Sequence, residues 1–171
     1  MSIAPYFLVR HAEAFMESGL VEHLTPEGII QAEQARDQLI ESGLDQNTLV
    51  LSSTAPRAVE TAEIIAEGLG AGVETAVTIR RIGEAPGDRS TAVLASIVTG
   101  LEAKFEPVEE GAPVVIVGHQ PLFVRLTSKK AIGNGEVIEW DPNQPKPKAP
   151  IISLGQSRPK PPRERKIFRK H

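Results

Sequence analysis

The 171-residue chain contains no cysteine. Disulfides, thiolate nucleophiles and thiolate metal sites are thereby excluded, and a reducing compartment suits such a composition. Aromatic residues make up only 4% of the chain, so a core has to be assembled from Leu, Ile, Val and Ala. No run approaches the ~18 apolar residues of a membrane span. The N-terminus has no basic segment leading into a long apolar one. Its apolar run from Ile3 to Val9 is broken by Pro5 and closed by Arg10-His11, which reads as a first strand rather than a signal sequence. A cytoplasmic protein without membrane association is expected.

What is present fits one globular domain: 40% of residues are hydrophobic, and the length suffices for a single substantial core. The net charge of -3 hides an asymmetry. Residues 141–171 hold nine Lys or Arg against two acids, a net +7, whereas residues 1–140 hold ten against twenty, a net -10. Seven of the fourteen prolines also fall in 141–171. Such a segment buries too little surface to offset its ordering entropy. The expected organisation is therefore a domain over 1–140 and a basic, proline-rich tail over 141–171, extended or disordered. The tail has the charge to dock an acidic partner, with nucleic acid the less favoured one.

Within 1–140, short β-rich runs alternate with helical patterns, as in α/β proteins. Strands are expected at Tyr6–Val9, Thr48–Ser52, Ala76–Ile79, Pro113–Val117 and Gly135–Trp140. Thr25-Pro26 opens a first helix, Thr25 capping and Pro26 at the first helical position. Its core stripe is Ile29, Ala32, Ala35, Arg36, Leu39 and Ile40, and Gly43 ends it. Pro56–Gly68, Ser90–Phe105 and Gln120–Lys130 are expected to be helical.

Three segments follow predicted strands: Arg10-His11, Ser52-Ser53-Thr54-Ala55-Pro56-Arg57 and Gly118-His119-Gln120-Pro121. Ligands of open α/β sheets bind at the carboxyl ends of strands. These segments bring two arginines, two histidines and two helix N-termini there. Guanidinium forks match phosphate oxygens, and helix N-termini supply unpaired N–H groups and a favourable dipole. A phosphoryl-binding site follows. No two histidines have His-x-x-x-His spacing, so no metal is expected, and no cofactor either. His23 reads as a surface or rim residue. Glu13 reads as an ion-pair partner for an arginine.

Leu8-Val9-Arg10-His11-Ala12-Glu13-Ala14 resembles the signature of the histidine phosphatase superfamily, also called phosphoglycerate mutase-like. Leu24-Thr25-Pro26-Glu27-Gly28-Ile29-Ile30-Gln31-Ala32, Ser52-Ser53-Thr54-Ala55-Pro56-Arg57-Ala58-Val59-Glu60-Thr61-Ala62 and Val117-Gly118-His119-Gln120-Pro121 resemble its later motifs, in the same order. The resemblance implies a three-layer α/β/α fold with a mostly parallel central sheet. It also implies roles: His11 as nucleophile forming a phosphohistidine intermediate, Arg10, Arg57 and His119 as phosphate ligands and charge stabilisers, and Gln120 at the substrate. The family often places a carboxylic acid in the loop after the third strand, where Glu84 is the first candidate general acid and Asp88 the second.

Between Ser53 and His119 there is no room for a large cap segment. The small size most resembles the SixA-like phosphohistidine phosphatase branch, which implies an open site accepting a phosphohistidine-bearing protein. A small phosphate ester is the alternative substrate, and a non-catalytic phosphate-binding module the alternative function. After about Leu126 the sequence departs from the family pattern, leaving the end of the sheet undetermined.

Overall fold

A computed structural model describes residues 5–16, 22–84, 91–100 and 111–143. Glu84 closes the second of these stretches as backbone only, while Asp88 and the region after Asn143, with most of the predicted tail, lie outside the described residues.

The elements run β1 (Tyr6–Arg10), α1 (Pro26–Glu41), β2 (Leu49–Ser52), α2 (Pro56–Leu69), β3 (Val73–Thr75), α3 (Val77–Glu84), α4 (Thr91–Gly100), β4 (Val114–Gly118), α5 (Gln120–Leu126) and β5 (Val137–Trp140). The sheet has the order β3-β2-β4-β1-β5. β4 lies parallel between β2 and β1, β3 is parallel to β2, and β5 is antiparallel to β1. Among the described residues, no helix is long and apolar enough to cross a membrane.

Strand pleating sorts the core into two layers. Tyr6, Leu8, Val114 and Ile116 point to one face, where they meet Ile79, Leu94, Val98, Leu122 and Phe123 from α3, α4 and α5. Phe7, Val9, Val115 and Val117 point to the other, against Ala35 and Leu39 of α1 and Ala58, Ala62, Ile65 and Ala66 of α2. Both faces of β4 are buried, as its unbroken Val-Val-Ile-Val run requires. The result is the expected α/β/α sandwich.

Helix α1 starts as its sequence dictates: Thr25 Oγ1 accepts from Gly28 N at 2.9 Å, and Pro26 stands at the first position. Gly28 is needed for a second reason. A Cβ there would lie 2.0 Å from the Glu13 carbonyl oxygen, so only glycine lets the helix abut the chain leaving β1. The buried stripe is Gly28, Ala32, Ala35 and Leu39. Ile29 and Ile40, placed in the core by spacing alone, are exposed, since α1 meets α2 and the sheet along a narrower line. Helix α2 ends at Leu69, one residue later than expected, where Gly70 caps it in the left-handed conformation.

The predicted strand Ala76–Ile79 is instead the entry into α3. The third strand lies just before it, as the three-residue edge strand Val73–Thr75. Val77 and Thr78 carry β propensity, but Ile79 alone inserts fully into the core while Val77 is 51% exposed; that one-sided burial suits a helix turn. Consequently Glu84 is the last residue of α3, not part of a loop. Helix α5 stops at Leu126, earlier than the predicted Lys130, and α4 is described as Thr91–Gly100.

The chain after Leu126 completes the sheet. It returns across the end of β1, burying Ile132, and pairs as β5 with register Tyr6↔Trp140 to Val9↔Val137.

Candidate active site

The carboxyl ends of β1, β2 and β4 lie side by side, with Arg10 opposite Gly118 and Ser52 opposite Val117 in register. The next residue on each strand therefore enters the same space. His11 N donates to Gly118 O at 2.9 Å, and Ser53 N donates to Val117 O at 3.0 Å. These two backbone bonds extend the ladders by one step and fix the chain from which His11 and Ser53 project. Arg57 arrives at the N-terminal turn of α2, opened by Pro56, and His119 stands at the N-cap of α5.

The four residues expected to form the site converge. The rings of His11 and His119 are 5.4 Å apart. Arg57 lies between them, its Nε 3.3 Å from His11 Nε2 and its Nη2 3.4 Å from His119 Nδ1. His11 Nδ1 donates to the Ala12 carbonyl oxygen at 2.9 Å; a carbonyl can only accept, so the Nδ1 proton is fixed and Nε2 keeps its lone pair. Burial drives the pKa of His11 down to about 4, with Arg57 and Arg10 adding to the fall and the Ala12 bond and Glu22 opposing it. Burial, then Arg57, His11, Arg80 and Arg10, push His119 to about 3. Both rings are neutral at neutral pH.

Arg10 Nη1 donates to Ile132 O at 2.6 Å, while its Nε is buried without a hydrogen-bond partner. Burial and Arg57 lower its pKa from the ordinary value, although a guanidinium stays charged throughout the working range. Gln120 Oε1 accepts from Ile132 N at 3.4 Å. Its carbonyl thus braces the same residue that Arg10 holds, which assigns it to the rim of the site as a support for the returning segment.

Glu13 has a threonine as its described partner rather than the expected arginine. Its carboxylate accepts from Thr25 Oγ1 at 3.1 Å, because the chain turns to start α1. His23 is exposed and paired with Glu60, whose other oxygen accepts from Leu24 N at 2.8 Å. The side chain of Glu84 and all of Asp88 lie outside the described residues.

Four contributors were not anticipated. Glu22 forms an ion pair with Arg57 Nη1. Arg80 of α3 acts on His119 through its charge. Thr61 is buried and links two parts of the site, donating to Arg57 O at 2.7 Å and accepting from Ala12 N at 3.0 Å. Ser53 Oγ lies 2.8 Å from His119 Nε2. Thr61 belongs to the same motif as Arg57, four residues on and so on the same helix face, but carried no assigned role. Glu22 and Arg80 carry no spacing signal at all.

Residues 6–85 match the histidine phosphatase superfamily (branch 1). The fold is phosphoglycerate mutase-like. The chain superposes on a protein described as mycobacterial hydrolase 1 with a TM-score of 0.60 at 21% identity, covering 82% of this chain and 92% of that one. Mycobacterial glucosyl-3-phosphoglycerate phosphatase gives 0.57 at 20% identity, over 78% and 89% of the two chains. The protein histidine phosphatase SixA, solved with tungstate, gives 0.58 at 17% identity, over 79% and 93%. At these identities the likeness establishes the fold. No curated protein matches the sequence significantly.

Proposed function

We propose that this protein is a histidine phosphatase whose nucleophile is Nε2 of His11. One observation carries the reading: a neutral imidazole holds its bare nitrogen toward a guanidinium, with a second imidazole alongside. A neutral imidazole with its lone pair directed is a competent nucleophile. Arg10, Arg57 and His119 hold the phosphoryl oxygens, and the unpartnered Arg10 Nε is one more donor for an anion. Transfer of a phosphoryl group calls mainly for positioning and charge complementarity.

In the first step a bond forms between Nε2 and phosphorus while the bond to the leaving group breaks, and the leaving group takes up a proton. In the second, water attacks phosphorus, the P–Nε2 bond breaks, and the water proton is released. The neutral ring of His11 is restored with inorganic phosphate as product.

The preferred substrate is phosphohistidine in a protein. Protonated imidazole departs readily, so this substrate needs no strong general acid. The one carboxylate described against the phosphate-binding arginines, Glu22, is committed to Arg57. A neighbour in fold, SixA, is a protein histidine phosphatase. Another is a glucosyl-3-phosphoglycerate phosphatase, which keeps a small phosphate ester as the second reading, with Glu84 or Asp88 as proton donor.

The test compares kcat/KM on a phosphohistidine protein, a panel of small phosphate esters and para-nitrophenyl phosphate, for the wild type and His11→Ala. Turnover that disappears in H11A, with an acid-labile phosphate trapped on His11, is the expected result. No turnover of any of these by the wild type would leave a phosphate-binding module. A preference for one sugar phosphate by orders of magnitude would move the substrate to the second reading.

A further inference from the structure

Ser53 occupies a position that the mechanism above leaves unused. It is fully buried, and so, at 3% exposure, is His119. Its Oγ accepts from Ala55 N at 3.2 Å, across the turn that opens α2. The same Oγ lies 2.8 Å from Nε2 of His119. A serine hydroxyl has one proton to give and can accept two hydrogen bonds. With the Ala55 amide accepted, that one proton needs an acceptor, and among the described residues Nε2 is the one in place.

The two tautomers of neutral His119 are therefore not equivalent. If Nε2 carried the proton, Ser53 would accept twice and bury its own hydroxyl proton without a partner, a costly arrangement. In return Nδ1 would accept from Arg57 Nη2, but that contact is the long one at 3.4 Å, and Arg57 already donates to Glu22. If Nε2 is bare, the short buried bond is satisfied in both directions. Nδ1 then bears the proton and, with Arg57 Nη2, presents two donors to one space, which an anionic oxygen can accept from together.

We propose that Ser53 is a positioning residue that fixes His119 as the Nδ1–H tautomer, so that His119 donates to the phosphoryl group. The catalytic part of this inference rests on the phosphatase reading; the proton placement does not. Ser53 makes two neighbouring imidazoles unlike. His11 has its Nδ1 proton taken by Ala12 and offers a lone pair from Nε2, whereas His119 has its Nε2 lone pair taken by Ser53 and offers a proton from Nδ1. One ring attacks and the other binds oxygen. A bare Nδ1 on His119 would instead turn a lone pair toward the phosphoryl oxygens and repel them.

The test is the 15N spectrum of histidine-labelled protein at pH 7, with His119 assigned by its loss in H119Q. The wild type is expected to show protonated Nδ1 and bare Nε2 on His119, and S53A a mixture or the reverse, while His11 keeps its Nδ1 proton in both. In turnover, S53A is expected to lose about tenfold in kcat with KM within about twofold, the size of one buried hydrogen bond. S53C, a weak donor of similar size, falls between. A wild-type His119 protonated on Nε2 overturns the proposal, and so does an S53A spectrum unchanged at His119. Should S53A fail to fold, the wild-type spectrum and S53C still decide. A wild type with the expected tautomer but no turnover on any phosphate overturns the phosphatase reading and leaves the proton placement standing.

Discussion

The two helical layers cover the same sheet with different materials. On the α1–α2 side the contact surface is rich in alanine: Ala35, Ala55, Ala58, Ala62 and Ala66 lie among a few larger residues. On the α3–α4–α5 side it is made of Ile79, Leu94, Leu122, Phe123 and Leu126, and closed by Ile132. Small side chains let helix backbones approach the strands closely. That closeness suits the layer carrying Arg57, whose placement depends on where the first turn of α2 sits, and Thr61 ties that turn to Ala12 from within. The other layer contributes bulk, plus the charge of Arg80 and the N-cap residue His119. One layer is built to hold a guanidinium in place, the other to fill volume.

Substitutions can break this division. Phe123→Ala removes the largest fully buried side chain among the described residues and is expected to lower stability by about 3–5 kcal/mol. Chemical denaturation checks this, and kcat/KM of the folded enzyme should move less than in Arg57 variants. Next comes Arg57→Ala, in the alanine-rich layer. It should cost ~100- to 1,000-fold in kcat/KM with a much smaller loss of stability, read by steady-state kinetics beside a melting curve. Ala62→Leu attacks the same layer by excess volume and should destabilise by about 1–3 kcal/mol. If it proved neutral, the close approach of α2 would not be the constraint described.

The fourth expectation concerns pH. His11 and His119 bind protons more weakly in the folded chain, at about 4 and about 3, than at the ordinary 6.5. Between those values the unfolded chain binds more protons, so stability should rise with pH. It should be lost progressively as pH falls from about 6.5 through 4 to about 3, and a denaturation series across that window measures it. The smallest effect is expected for Glu22→Gln. Glu22 forms an ion pair with Arg57, so if Arg57 holds phosphate as proposed, its removal should lower KM by about two- to fivefold, the scale of a partly exposed ion pair.

The same division governs what could be read from the sequence. The alanine-rich layer was legible almost throughout, because Thr25-Pro26, Pro56 and the glycines after each helix are local signals that tertiary packing did not overrule. Four site residues were equally legible, since each follows a strand or opens a helix. The second layer was not. Val77-Thr78-Ile79 reads as strand by β propensity, and only the burial of Ile79 with the exposure of Val77 makes it helix. That misplacement put Glu84 in a loop. Glu22 and Arg80 reach the site through the fold alone, and Ser53 was visible as a motif residue without any hint of its partner.

The pairing pattern also sets a schedule for synthesis. His11 precedes its neighbours by a long stretch of chain: β1 finds its parallel partner in β4, beginning at Val114, and its other edge partner in β5, ending at Trp140. Arg10 waits for Ile132 and Glu136 as well. A chain emerging from the ribosome therefore carries His11 without the rest of its site until more than a hundred further residues have followed, and long-range pairing of this kind forms late. The candidate site cannot assemble before β4 and β5 have been made, so it is among the last features of this fold to come into being.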